Sequence, residues 1–149
     1  MGEKYAFVMM IQNKWWQEFH RRNLQGKKIR SYVQKGLAPP KDTSLILFYV
    51  AKPVGEIAGY AEFVERKTGD SEELWKKYGR ESVLDSREQF KQFIEDRPKA
   101  SFVRFRNLHE AATPIPLKNV LMLLGVKRLS RKGFYVNRKT AETLLAFME

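Results

Sequence analysis

The chemistry-bearing residues grouped most densely in this sequence are cations set beside glycines and aromatic rings. Lys127-Arg128-Leu129-Ser130-Arg131-Lys132-Gly133-Phe134-Tyr135 holds four cations in six positions and closes on two rings. Such cations bind phosphate oxygens, and an unpaired base stacks on a neighbouring ring. Arg128, Arg131, Lys132 and Tyr135 are therefore candidate contacts. A second group is Leu24-Gln25-Gly26-Lys27-Lys28-Ile29-Arg30. A glycine at a helix end lets backbone amides approach an anion, and Lys27, Lys28 and Arg30 add charge there. Trp15 and Trp16 are adjacent. Neighbours on a helix point about 100° apart, so one core stripe does not hold both comfortably. One of them, with Trp16 as the candidate, is expected to be a stacking platform. Glu62 lies beside Tyr60 in an otherwise small and apolar stretch, a setting that suits a carboxylate to acid–base work.

Other chemistries are excluded. The 149 residues contain no cysteine and only two histidines, His20 and His109. A disulfide framework, a thiolate zinc site, a thiol nucleophile and an iron–sulfur cluster are ruled out. His20 reads as a surface side chain on a basic helix, and His109 as a loop residue. No phosphate-binding glycine loop, dinucleotide fingerprint, nucleophile elbow or metal-ligand spacing occurs, so no cofactor or metal is expected. No apolar run approaches the ~20 residues that cross a bilayer, and Met1–Ile11 lacks the shape of a signal peptide. The expectation is a cytoplasmic protein without a membrane partner.

Charge points to a polyanion. Lysine and arginine number 28 against 17 acidic residues, a formal net charge of +11. Asn13–Lys35 carries seven basic residues against Glu18, and Arg97–Lys139 carries eleven against Glu110. Between them, Glu56–Asp96 carries seven basic and eleven acidic residues. A merely solvated surface would intersperse its signs. Two basic blocks around an acidic insert instead predict one phosphate-binding face, with the insert held away from it.

The elements that must position these groups follow from pattern. Tyr5–Ile11 is a short apolar run, hence a buried strand. Asn13 caps a helix through about Gln25, which Gly26 ends. Ile29–Val33 is a strand and Leu37–Asp42 a proline-broken loop. Ser44–Ala51, apolar on both faces, should be a central strand. Glu56–Arg66 alternates and pairs with it as a hairpin, with Ile57, Gly59, Ala61 and Phe63 on one face. Asp70 with Glu73, and Ser86 with Gln89, have capping-box spacing before two helices of the insert at about 68–97. Ala100–Arg106 is a strand and Ala111–Pro116 irregular. Lys118–Leu124 fits a strand or two helical turns. A basic loop, a short strand Phe134–Val136 and a helix capped by Asn137 complete the chain. The sum is one α+β domain over residues 1–149, mostly antiparallel and barrel-like.

The order strand, helix, Leu-x-Gly-x-Lys, strand, then LILFYVAK and a strand ending GYAE resembles the PUA-like superfamily of PUA, ASCH and EVE domains. Leu74–Gly79 and Gly133–Tyr135 resemble segments of a small archaeal family within it. The resemblance implies a β-pseudobarrel of about five or six strands that binds RNA or a modified base beside the first helix. One ASCH-type branch hydrolyses an acetylated cytidine nucleoside with a lysine, a threonine and a later glutamate. On this chain Gly26 and Lys28 match the start of that motif and Glu62 the later glutamate. Its acidic and arginine positions are Ser31 and Val33 here, which departs from the hydrolase and leaves the cationic loop intact.

The leading expectation is thus a noncatalytic module for tRNA or another structured RNA. Lys27, Lys28, Arg30, Arg128, Arg131 and Lys132 would hold phosphates, and Tyr135 and Trp16 would stack. The alternatives are an ASCH-like amidohydrolase using Lys28 and Glu62, and an accessory subunit docking through the acidic helices at 70–96.

Overall fold

A computed structural model describes residues 4–23 and 29–149. Six strands form one mixed sheet: β1 (Ala6–Ile11), β2 (Ile29–Lys35), β3 (Leu45–Val50), β4 (Glu56–Asp70), β5 (Lys99–Pro116) and β6 (Phe134–Val136). Their order is β2-β5-β4-β3-β1-β6, and among the described residues the β1–β3 pair alone is parallel. The expected barrel is not closed, because β2 and β6 are the edges of an open order. The helices are α1 (Asn13–Asn23), α2 (Ser71–Tyr78), α3 (Arg87–Phe93), α4 (Leu117–Leu124) and α5 (Arg138–Met148). Lys118–Leu124 is thereby resolved as helix, ended by Gly125 in the left-handed region at φ 69°.

Apolar residues on both faces of β1 and β3 require cover on both sides, and the chain supplies it. Phe7, Met9, Ile11, Ile46, Phe48 and Val50 join a cluster with Phe19 of α1 and Phe90 of α3. Ala6, Val8, Leu47 and Tyr49 join a second cluster with Val120 of α4 and Ala141 and Leu144 of α5. Local signals set the helix starts: Asp70, Ser86 and Asn137 accept from the backbone N–H of Glu73, Gln89 and Thr140.

Three expectations change. The register of β4 shifts between Ile57 and Gly59, so Ile57 joins the second cluster and Ala58 the first. A bulge inverts the face of everything before it, which alternation alone does not reveal. Ala111–Pro116 is ordered as the end of β5, where Ile115 and Pro116 pair with Ile57 and Glu56. His109 is therefore a strand residue, stacked on Tyr60 at 5.0 Å. Finally, the acidic insert does not stand apart. Asp85 pairs with Arg22, Glu95 with Lys35, and Glu81 with Arg104. Its apolar faces need burial against β5, which carries its carboxylates onto the neighbouring cations.

Candidate nucleic-acid interface

Among the described residues, a wide cleft lies where the sheet fails to close. One wall is edge strand β2, through Tyr32, Val33, Gln34 and Lys35. The other is Met9 and Met10 of β1 with Arg131 and Lys132, which lead into edge strand β6. Trp15, Phe93 and Leu37–Pro39 complete it, around a volume of about 720 Å³. Two edges that do not meet thus become two walls of one groove.

Its electrostatics are one-sided. Lys14, Lys35, Arg97, Arg131 and Lys132 line it, and among the described residues no carboxylate does. Glu95 lies behind, 2.6 Å from the Lys35 ammonium and 3.8 Å from Arg97. The hydrogen bond from Lys35 holds the Glu95 carboxyl below its ordinary range. The Lys14 ammonium sits 4.5 Å over the Trp15 ring, and Trp15 meets Phe93 edge-on at 5.7 Å. Burial pushes the Tyr32 phenol up to about 12, so it stays a neutral donor. The loop wall is pinned from behind: the Ser101 hydroxyl donates to the Gly36 carbonyl at 2.6 Å, and Arg66 donates to the Ala38 carbonyl at 2.9 Å.

Both basic blocks contribute to this cleft, through Arg131 and Lys132, which are sequence candidates, and through Lys14, Lys35 and Arg97, which are not. Lys14 and Lys35 come from the first, and Arg97, Arg131 and Lys132 from the second. Gly26, Lys27 and Lys28 lie outside the described residues. Arg30 stands at the far end of β2 from Lys35, about 16 Å along the strand at ~3.3 Å per residue. It is 5% exposed, and its guanidinium donates to the carbonyl of Arg22 near the end of α1. Burial lowers its pKa. It is a helix-end contact within the fold, not a surface phosphate ligand.

Trp16 is 6% exposed, packs on Phe48 at 5.3 Å and lies over Gly59. It is a core residue, not a stacking platform. Trp15 is also buried, because α1 sits between the sheet and α3 and has apolar neighbours on two sides. The Tyr135 ring is occupied by Phe7 edge-on at 4.9 Å and by the Lys4 ammonium at 4.9 Å, and its oxygen accepts from the Lys41 N–H. That ring tethers a loop. Arg128 lies on the other side of the basic loop, in a separate slot. Glu62 faces outward and is held by Asn107 and, at 3.5 Å, by Arg106. Asn107 reaches it from a second bulge, at φ 53°. Glu62 thus stands outside the described clefts, away from a concave site that catalysis with Lys28 would need. His20 is tied to Glu110 at 2.5 Å across α1 and β5.

A Zymomonas mobilis protein named as an ASCH domain-containing ribonuclease is 31% identical over 102 residues, which span 68% of this chain and 67% of that protein. This chain belongs to the ASCH-domain family. No family model matches it. The crystal structure of ASCH from Zymomonas mobilis superposes with TM-score 0.81 at 20% identity over 99% of this chain and 98% of that one. A variant of the same protein gives 0.81 at 19% identity over the whole of both chains. A Rhodopseudomonas palustris structure determined by NMR gives 0.54 at 12% identity, over 97% and 92%. The ASCH fold accounts for the open six-strand sheet with helices on both faces. The Ser31 departure has a local answer: its hydroxyl donates to Glu81 at 2.8 Å. A carboxylate thus reaches that point from the insert, a contact across fifty positions that no sequence spacing signals.

Proposed function

We propose that this ASCH-domain protein binds single-stranded RNA in the cleft between the two sheet edges, with an unpaired stretch of tRNA or another structured RNA as its ligand. The observation that carries the reading is a groove whose described lining residues include five cations and three aromatic side chains and no carboxylate. Arg131 and Lys132 have no carboxylate partner among the described residues, so they are available to phosphate. Tyr32 supplies a neutral donor, and phosphate contacts set affinity while ring and donor contacts select the base. The relationship to a protein named as a ribonuclease supports the same ligand class. Fluorescence anisotropy with labelled oligoribonucleotides tests it. Affinity should fall steeply with salt, and Arg131→Glu with Lys132→Glu should abolish binding while Glu62→Gln leaves it intact. Salt-insensitive binding, or none at low salt, overturns the reading.

The same relationship favours a second reading, in which the bound strand is cut. Incubating labelled RNA with the protein and mapping the ends tests this. A 2′,3′-cyclic phosphate beside a 5′-hydroxyl would report attack by the strand's own 2′-hydroxyl. Intact RNA under saturating binding would leave a binding module.

A further inference from the structure

The basic loop between Gly125 and Gly133 has two sides. Arg131 and Lys132 face the cleft, whereas Arg128, Leu129 and Ser130 line a separate slot of about 310 Å³ with Leu124, Val126 and Phe134. The loop end is fixed by close approach. Gly133 has φ +83°, and a Cβ there would lie 2.5 Å from Phe7 Cζ and 2.6 Å from the Val8 carbonyl oxygen. Three consecutive residues, Phe134, Tyr135 and Val136, share the slot wall. Side chains of a strand alternate faces, so that wall is the edge of β6, which among the described residues has no ladder partner on that side.

We propose that this slot takes one unpaired nucleobase of the strand whose phosphates lie in the cleft, with Phe134 and Leu129 against its face and the β6 edge against its polar rim. The inference rests on the RNA-binding reading and adds a base-selecting subsite to it. The volume is at the lower end of the roughly 300–1,000 Å³ of small-ligand sites, which suits one flat ring system. An extended peptide is the other ligand an open strand edge attracts. Here β6 offers only three residues. The loop beside it carries Lys127, Arg128, Arg131 and Lys132 with no acidic residue, which favours a polyanion.

The test is an abasic scan. An oligouridine of about ten nucleotides, and a set in which each base in turn is removed, are titrated against the wild-type protein and Phe134→Leu. In the wild type, one position near an end of the bound stretch should lose about tenfold in affinity when abasic. In Phe134→Leu the intact oligomer should bind about tenfold more weakly, with no further loss at that position. Val126→Trp, at a residue 46% exposed, fills the slot without disturbing the core and should give the same pattern. If abasic positions are equivalent in every protein while Arg131→Glu with Lys132→Glu still abolishes binding, the slot is overturned and the cleft stands. If the wild type binds no RNA at low salt, both fall.

Discussion

The Ser31 hydroxyl donates to the Glu81 carboxylate at 2.8 Å, and the same carboxylate takes two bonds at 2.8 Å from Arg104. Ser31 is fully buried, and Arg104 and Glu81 are 15% and 20% exposed. These bonds raise the pKa of Arg104, with the hydrogen bond to Glu81 the leading cause. The network locks the short turn after α2 onto β2 and β5. Removing Glu81 leaves Ser31 without its acceptor and Arg104 with Glu65 as its remaining carboxylate partner, in a mostly dry site. Glu81→Ala should cost roughly 2–3 kcal/mol, somewhat below the 3–5 of fully buried pairs. In urea unfolding, Glu81→Ala with Arg104→Ala should cost clearly less than the two separately. Additive losses would dissolve the network.

Tyr135 provides a sharper contrast with its reading as a stacking ring. Its oxygen accepts the Lys41 N–H at 2.9 Å, closing the loop after β2 onto β6. Tyr135→Phe keeps the ring and loses the bond, so it should cost about 1 kcal/mol in denaturant unfolding. A stability loss near zero would remove the tether.

Such cases show where the sequence was legible. The caps at Asp70, Ser86 and Asn137 are contacts between residues three apart, so spacing reveals them. The central place of β3 follows from its two apolar faces. The bulge at Ala58 depends on how β4 meets β3 and β5, and the second face of α1 depends on where α3 packs. At the site, Arg131 and Lys132 stood out by local density. Lys14, Lys35 and Arg97 did not, because a cation matters there only once Asp85 and Glu81 have neutralised Arg22 and Arg104 elsewhere.

Counterion release makes the cleft measurable. Single strands lose about 0.7 in the log–log slope of affinity against salt for each phosphate neutralised. A strand touching three to five of the cleft cations should give a slope of about −2 to −3.5. Arg131→Ala or Lys132→Ala should each flatten it by about 0.7 and weaken all sequences alike. Unchanged slopes would move the phosphates elsewhere.

Acid should loosen the insert. Glu18, Glu72 and Glu95 are held below the ordinary carboxyl value of 4.5, chiefly by hydrogen bonds from Arg21, Arg87 and Lys35. A depressed folded-state pKa means the unfolded chain binds more protons, so stability rises with pH through this window. The contribution is present above about pH 4.5 and is lost as pH falls through the lower folded values. Thermal melts across that range should show the drop, and Glu72→Gln with Glu95→Gln should flatten it. Because these pairs are solvent-exposed, high salt should flatten it too.

Gly59 tests the packing that withdrew Trp16 from the surface. A Cβ at this position would lie 2.5 Å from the His109 carbonyl oxygen and 2.7 Å from Trp16 Cη2. The first is backbone in a paired strand and the second a ring held by Phe48, so neither yields cheaply. Gly59→Ala should therefore destabilise by about 2–3 kcal/mol, as overpacking does. Pairing it with Trp16→Leu removes the ring clash and should recover only part of the loss, because the carbonyl remains. Recovery in full would assign the whole conflict to the indole, and no loss in the single variant would mean that α1 does not press Trp16 onto β4.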